Sequence, residues 1–309
     1  MKKKVSIVIV CMNNLANLLP CIDSIKTNTH STDYDIWVVC YLFSKENLEI
    51  LKQKHPDVVI VESNEIRGFS ENNNLALRQL DCEYALVLND DTLFKEPVLD
   101  KLVCSIEKTK DAAIMSPKLL NEDGSVQSCG KAPSTILDFI LMNASLLDPN
   151  KKKSKFINQK GIFKSYNVSG ACFLINYSIL KHLGFFDEYY FFMPEDLALS
   201  TKANKLGYKC YVDANIDLYH FHQKTGSKVK ECTLPAARKG AIHFYADGNA
   251  ILYFILALYI FFLSFTKSII FFLLGRGQQL QSQWHCVETI FSNKTPKQIF
   301  TKYYTQLKK

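Results

Sequence analysis

What the chain lacks narrows it first. Its ten cysteines follow no regular spacing and form no Cys-x-x-Cys pair, so no disulfide framework is expected from them. Several sit within apolar runs, where a thiol behaves as a small hydrophobe, and a reducing, cytosolic compartment is expected. Three lysines lead directly into a strand-like run with no cleavage site, so no secretory signal is expected, and the sequons at Asn143, Asn167 and Asn293 carry no message. No helix-turn-helix, zinc knuckle or interleaved aromatic and basic motif stands out, so nucleic acid is not an expected partner. After the first strand-like run, Cys11-Met12-Asn13-Asn14 has neither the glycines nor the lysine of a phosphate-binding loop, which argues against a nucleotidyltransferase.

What is present describes a folded protein. Of 309 residues, 48% are hydrophobic and 22% charged, which excludes wholesale disorder and suits one main domain with an appendage. The formal charge of +7 is partly concentrated in runs: Lys2, Lys3 and Lys4; Lys151, Lys152 and Lys153; Lys308 and Lys309. Such runs are ordinarily solvated faces; the functional alternative is attraction to phosphates or to an anionic membrane surface.

Short β-branched apolar runs at 5–10, 36–41, 58–62 and 84–88 alternate with helical patterns at 18–25, 45–54 and 70–79. That alternation predicts an α/β fold with a mostly parallel sheet of the doubly wound kind. Ligands of such sheets bind outside the carboxyl ends of the strands, which directs attention to residues 11–13, 40–44, 64–69 and 89–92. Residues 125–160 read as a variable connection, 168–175 and 208–212 as further strands. Pro194-Glu195-Asp196 opens a helix that closes at Gly207, with its acidic side chains at the positive end of the dipole.

Three clusters could carry chemistry. The strand at 84–88 ends in Asn89-Asp90-Asp91-Thr92, and hard cations such as Mg²⁺ and Mn²⁺ favour carboxylates together with substrate phosphates. Taken alone, an Asp-Asp pair is more often a polar turn. Glu195-Asp196 follows an aromatic segment and could supply a general base, although acidic residues at a helix start are commonly caps. Tyr219-His220-Phe221-His222 offers imidazoles that either ligate a metal or are merely structural.

Order and spacing together resemble the family 2 glycosyltransferases of the GT-A fold, of the bacterial cell-surface polysaccharide, rhamnosyltransferase-like type, over about residues 4–227. The opening strand, ending at Val10, and Asn13 beyond it are similar to the family's nucleotide-contacting edge. NEIRGFSENNNLA, residues 64–76, looks like the segment that shapes the nucleotide pocket through Asn64, Gly68, Phe69 and Asn74. LVLNDDT resembles the Asp-x-Asp region, with Asn89 in its first position, Asp90 beside the donor and Asp91 as the metal and diphosphate partner. VSGAC, residues 168–172, is similar to the Gly-Ala strand before the acceptor site. GFFDEYYFFMPEDLAL resembles the Gly-Phe-Asp-Glu and Glu-Asp signature, which implies Asp196 as base with Glu195 as the fallback. His220 matches the histidine that completes the metal shell.

The resemblance implies an inverting, metal-dependent transfer from a UDP-, dTDP- or GDP-linked sugar to a glycan or lipid-linked oligosaccharide in cell-surface polysaccharide synthesis. The implied division is a catalytic domain at 1–235, with its nucleotide-sugar half at about 1–120 and its acceptor half at about 160–235, followed by a membrane-associating region at 236–309. The chain departs from the pattern at Cys40-Tyr41, in place of Asp-Asn, and at Ala198 and Lys202, in place of Asp and Arg. These departures keep open a rival reading, an inactive sugar-binding or scaffold protein on the same fold.

Residues 250–274 are apolar apart from Lys267, and as a helix they would extend about 37 Å, enough to cross a hydrocarbon core. Basic residues flank both ends, so the positive-inside rule does not favour a single crossing. The preferred expectation is a helix pair in the interface or a re-entrant hairpin broken near Ser264 to Ser268, on the cytoplasmic face of the inner membrane. The alternatives are one transmembrane segment, or a greasy face that covers the catalytic domain or a second copy of the chain.

Overall fold

The computed structural model describes residues 2–145, 154–221 and 229–307. The lysine runs at 151–153 and 308–309 and His222 lie outside the described residues.

Strands β1 (Lys3–Cys11), β2 (Tyr34–Tyr41), β3 (Val59–Ser63) and β4 (Cys82–Asn89) alternate with helices α1 (Leu15–Asn28), α2 (Lys45–Lys54) and α3 (Phe69–Leu77). They pair in parallel in the order β3-β2-β1-β4. β1 is apolar on both faces because both are covered: Val5, Ile7 and Ile9 enter one core cluster while Val8 enters the other.

Beyond β4 come β5 (Thr92–Leu93), α4 (Val98–Lys108), β6 (Ala112–Leu120), β7 (Val126–Ser128), α5 (Ile136–Asn143), α6 (Ser154–Ile157), β8 (Ile162–Ser165) and β9 (Cys172–Asn176). Then follow α7 (Tyr177–His182), α8 (Glu195–Lys205) and β10 (Lys209–His220). The sheet continues β4-β9-β6-β10-β5, with β9 antiparallel to both of its neighbours and β6 parallel to β10. The parallel character expected from the sequence thus holds for the first half, whereas the second is mixed because β9 is inserted in reverse. Sequence periodicity did not show β6, and it ended the last strand at 212, although β10 continues to His220.

The C-terminal part is four helices: α9 (Lys230–Ala246), α10 (Ala250–Leu273), α11 (Gly277–Thr289) and α12 (Pro296–Leu307). The domain boundary expected between 235 and 236 falls inside α9. α10 is unbroken through Ser264 to Ser268, which corrects the expected hairpin break there. Each serine hydroxyl donates to the carbonyl four residues earlier, Ser264 to Ile260 O at 2.6 Å and Ser268 to Ser264 O at 2.8 Å, so the polar pair is accommodated within the helix. The chain turns instead at Gly275, whose φ is +65°.

Gly68 marks where the two halves touch. A Cβ there would stand 2.3 Å from the carbonyl oxygen of Phe191, closer than any real contact. Gly68→Ala is therefore expected to destabilise the fold by about 1–3 kcal/mol through overpacking, visible as a lowered melting temperature.

Candidate functional site

Two acidic clusters meet at the carboxyl end of β4. The amide of Asn89 donates to Ala171 O at 2.9 Å, and the amide of the neighbouring Gly170 donates to Asp196 Oδ2 at 3.1 Å. A Cβ on Gly170 would lie 3.3 Å from Asp196 Cβ, so the glycine lets α8 approach the strand end closely. Two residues of backbone thus join the turn at 89–92 to the acidic pair that opens α8.

His220 ends β10, where its register partner is Thr92, and this pairing sets the imidazole over the turn. Its Nε2 lies 3.1 Å from Asp91 Oδ1 and 3.3 Å from Asn89 Nδ2. Its Nδ1 lies 2.7 Å from Gln127 Oε1. The Gln127 amide nitrogen donates to Asn121 Oδ1 and to His220 O, each at 2.9 Å, which fixes the oxygen as the end that faces the ring. Nδ1 therefore donates to Gln127 Oε1, and this bond turns Nε2 toward Asp91 and Asn89. The Asp91 carboxylate and the His220 ring thus face each other at the end of β4, 3.1 Å apart.

That donor set, a carboxylate and an imidazole beside an amide and a second carboxylate, fits Mg²⁺ or Mn²⁺. Among the described residues no group of three or more His, Cys, Asp and Glu ligands forms a ready cage. A partial shell of this kind suits a cation whose remaining positions go to diphosphate oxygens.

Asp90 turns toward β1. Burial pushes its carboxyl up to about 6, against the lowering effect of the Cys11 thiol and with a further raising effect from Asp91. Val10 is the register partner of Asn89, so the β1 end forms the adjoining wall. Asn13 accepts from Ser44 N at 3.0 Å and from Asn47 Nδ2 at 2.9 Å, tying that wall to the start of α2. Asn64 is exposed after β3. Asn74 is fully buried, and its amide bonds Phe186 O, Phe186 N and Glu188 Oε1 at 2.8 to 3.1 Å. Phe69 packs edge-on against Phe186, 5.7 Å between centroids. Asn74 and Phe69 thus hold the GFFDE segment onto α3, and reach a pocket only through its position.

In the acidic pair, Asp196 also accepts from Leu197 N at 2.7 Å and has Lys131 Nζ 3.9 Å away. Glu195 Oε2 is buried and has no hydrogen-bond partner among the described residues. Burial first, and then the charge of Asp196, push the Glu195 carboxyl up from its ordinary 4.5 to about 7. Between those values the native state binds the extra proton, so this group's contribution weakens the fold as pH rises through the window. Glu195→Gln should remove the loss. The variant is expected to gain on the order of 1–3 kcal/mol over the parent at pH 8 and nothing at pH 4, seen as melting temperatures that diverge by several degrees above pH 6.

Sequence reasoning missed Gln127 and Lys131, both in the stretch read as a variable connection. Gln127 meets His220 from 93 positions away, and no local pattern signals such a pairing.

Residues 6–184 match the family model described as glycosyl transferase family 2. Over 156 residues the chain is 26% identical to the low-salt glycan biosynthesis hexosyltransferase Agl10 of Haloferax volcanii, a match that covers 49% of this chain and 48% of that protein. Over 215 residues it is 25% identical to the N-acetylglucosaminyl-diphospho-decaprenol L-rhamnosyltransferase of Mycobacterium tuberculosis, covering 64% and 70% respectively. The fold is shared with the mannosyltransferase PcManGT of Pyrobaculum calidifontis, solved with GDP-Man and Mn²⁺, at a TM-score of 0.53 and 14% identity over 99% of this chain and 81% of that one. With more than half its length matched to the family, and with the mixed α/β sheet of the GT-A fold, this chain belongs to glycosyl transferase family 2.

Proposed function

We propose that the chain is an inverting glycosyltransferase that moves a sugar from a uridine, thymidine or guanosine diphosphate donor to a glycan or lipid-linked acceptor in cell-surface polysaccharide synthesis. The observation that carries this reading is the joining of the 89–92 turn to Glu195-Asp196 through Gly170 and Ala171. Both acidic clusters thereby lie at the carboxyl ends of the strands, which supports one acting on the diphosphate and the other on the acceptor.

Asp91 and His220 would hold a divalent cation, with Asn89 and Asp90 beside it. When bound, that cation supplies positive charge for the departing diphosphate. Asp196, oriented by the Gly170 amide, takes the proton of the acceptor hydroxyl. The acceptor oxygen bonds the anomeric carbon as the bond to the diphosphate oxygen breaks, and the electron pair leaves with the nucleoside diphosphate. Attack opposite the leaving group inverts the anomeric centre. Glu195, held up to about 7, is the second candidate for the base. Cys40-Tyr41 leaves the nucleoside without an acidic partner on β2; Tyr41 OH instead accepts the Arg67 amide at 3.3 Å, so base recognition would rest on neutral groups.

The named relatives act in glycan assembly, and one acts on a diphospho-decaprenol substrate by its name. A lipid-linked acceptor of that kind would place the enzyme on the cytoplasmic face of the membrane, with residues 236–309 as the membrane-associating part. The test is release of nucleoside diphosphate from a panel of nucleotide sugars with detergent-supported protein, with and without Mn²⁺. Release from one donor in the presence of metal supports the reading. Silence with every donor favours the inactive sugar-binding scaffold.

A further inference from the structure

α10 has its polarity inverted. Facing outward along its whole length is an apolar stripe, with Ile251, Phe254, Phe262, Phe265, Ile269 and Phe272 exposed by 43–75%. The opposite, buried stripe contains Ser264 and Ser268. Buried Arg238 of α9 donates to Ser264 Oγ at 2.8 Å and to Gln283 Oε1 of α11 at 2.7 Å. The charge of Lys267 is also drawn inward, its Nζ bonding Asn143 O at 2.6 Å. A helix facing water turns its polar side outward, and this one does the reverse.

The connections argue against a crossing. α9 precedes α10 and rests on the catalytic unit, with the His243 ring tilted by 35° against Tyr189 at 4.1 Å between centroids. α11 returns beside α9, where Gln278 Nε2 donates to Glu231 Oε2 at 3.0 Å. α12 then seats Phe300 on Phe191, 4.6 Å between centroids, and Lys297 on Glu71 at 2.6 Å. Both ends of α10 are therefore bound to one body. α11 exposes Gln278, Gln279 and Gln281, which a hydrocarbon core would not accept. No acidic residue occurs between Asp247 and Glu288, and the exposed Arg276 follows the end of α10, so the face complements an anionic surface. Trp284, 44% exposed, borders the stripe, as aromatic residues do at the lipid headgroup level.

We propose that α10 lies in the plane of an anionic bilayer, its Phe/Ile stripe sunk among the acyl chains and its serine stripe held against α9 and α11, without crossing. This deepens the membrane reading above and is independent of the transfer chemistry.

Two measurements on the full chain test it. In flotation with phosphatidylglycerol and phosphatidylcholine vesicles, the parent is expected to float, more strongly with the anionic lipid. The triple variant Phe262→Ser/Phe265→Ser/Ile269→Ser, checked for an unchanged melting temperature, should partition at least about 100-fold more weakly. Failure of the parent to float on either lipid, or a stable dimer in its place, overturns the membrane reading itself. In sealed inverted membrane vesicles, Cys104, the one exposed cysteine, reports the side of the catalytic unit. Ala250→Cys at the start of α10 and Gln279→Cys in α11, just beyond its other end, should both react with an impermeant maleimide as readily as Cys104. Protection of one end until the vesicles are permeabilised would show a spanning helix and overturn the in-plane placement alone.

Discussion

Asp196→Asn is expected to bind nucleotide sugar within about twofold of the parent and to turn over about 10²–10⁴-fold more slowly, the usual worth of a positioned base. The substitution is conservative where it must be. Asn keeps an oxygen to accept from Gly170 N or Leu197 N, so the packing of α8 on the strand end survives. What disappears is the site for the acceptor's proton. Because the loss falls on an interaction made only during reaction, kcat should fall while donor affinity does not. Glu195→Gln decides between the two acids. If Glu195 were the base, its carboxyl near 7 would make kcat/KM climb through that pH, and Glu195→Gln would show the larger loss. Near-full turnover in Asp196→Asn would remove it from the base role.

Asp91→Ala should abolish the metal dependence of donor binding, lowering affinity for nucleoside diphosphate in Mn²⁺ by about 10²-fold or more while leaving affinity in EDTA unchanged. Asp91 is 7% exposed, and its carboxylate faces His220 Nε2 at 3.1 Å. Its removal leaves the imidazole held by Gln127 and Asn89 but takes away the carboxylate that faces Nε2. Calorimetric titration with and without metal measures the difference. A variant whose affinity still rises with Mn²⁺ would move the cation elsewhere.

The first half of the fold could be read from sequence because each parallel strand is a short apolar run bounded by turns, and local composition specifies it. The 89–91 turn was legible for the same reason, since a geometric rule points to strand ends. Legibility faded where specification is non-local. β9 reads as any buried run, and nothing within it reveals its reversed insertion between β4 and β6. Asn74 lies in a segment associated with nucleotide binding, yet its hydrogen bonds go to Phe186 and Glu188, more than 100 positions away. In α10 apolar length was evident, whereas the inward direction of its serines depends on Arg238 from a different helix.

The return of α12 to the start of α3 changes how a water-soluble form could be made. Glu71, the partner of Lys297, also accepts the Gly68 amide at 3.1 Å, so the last helix braces the turn that opens α3. Cutting the chain ahead of α10 to discard its greasy helix would take this brace away with it. Polar replacements along the outward stripe would keep the brace and lose only the grease.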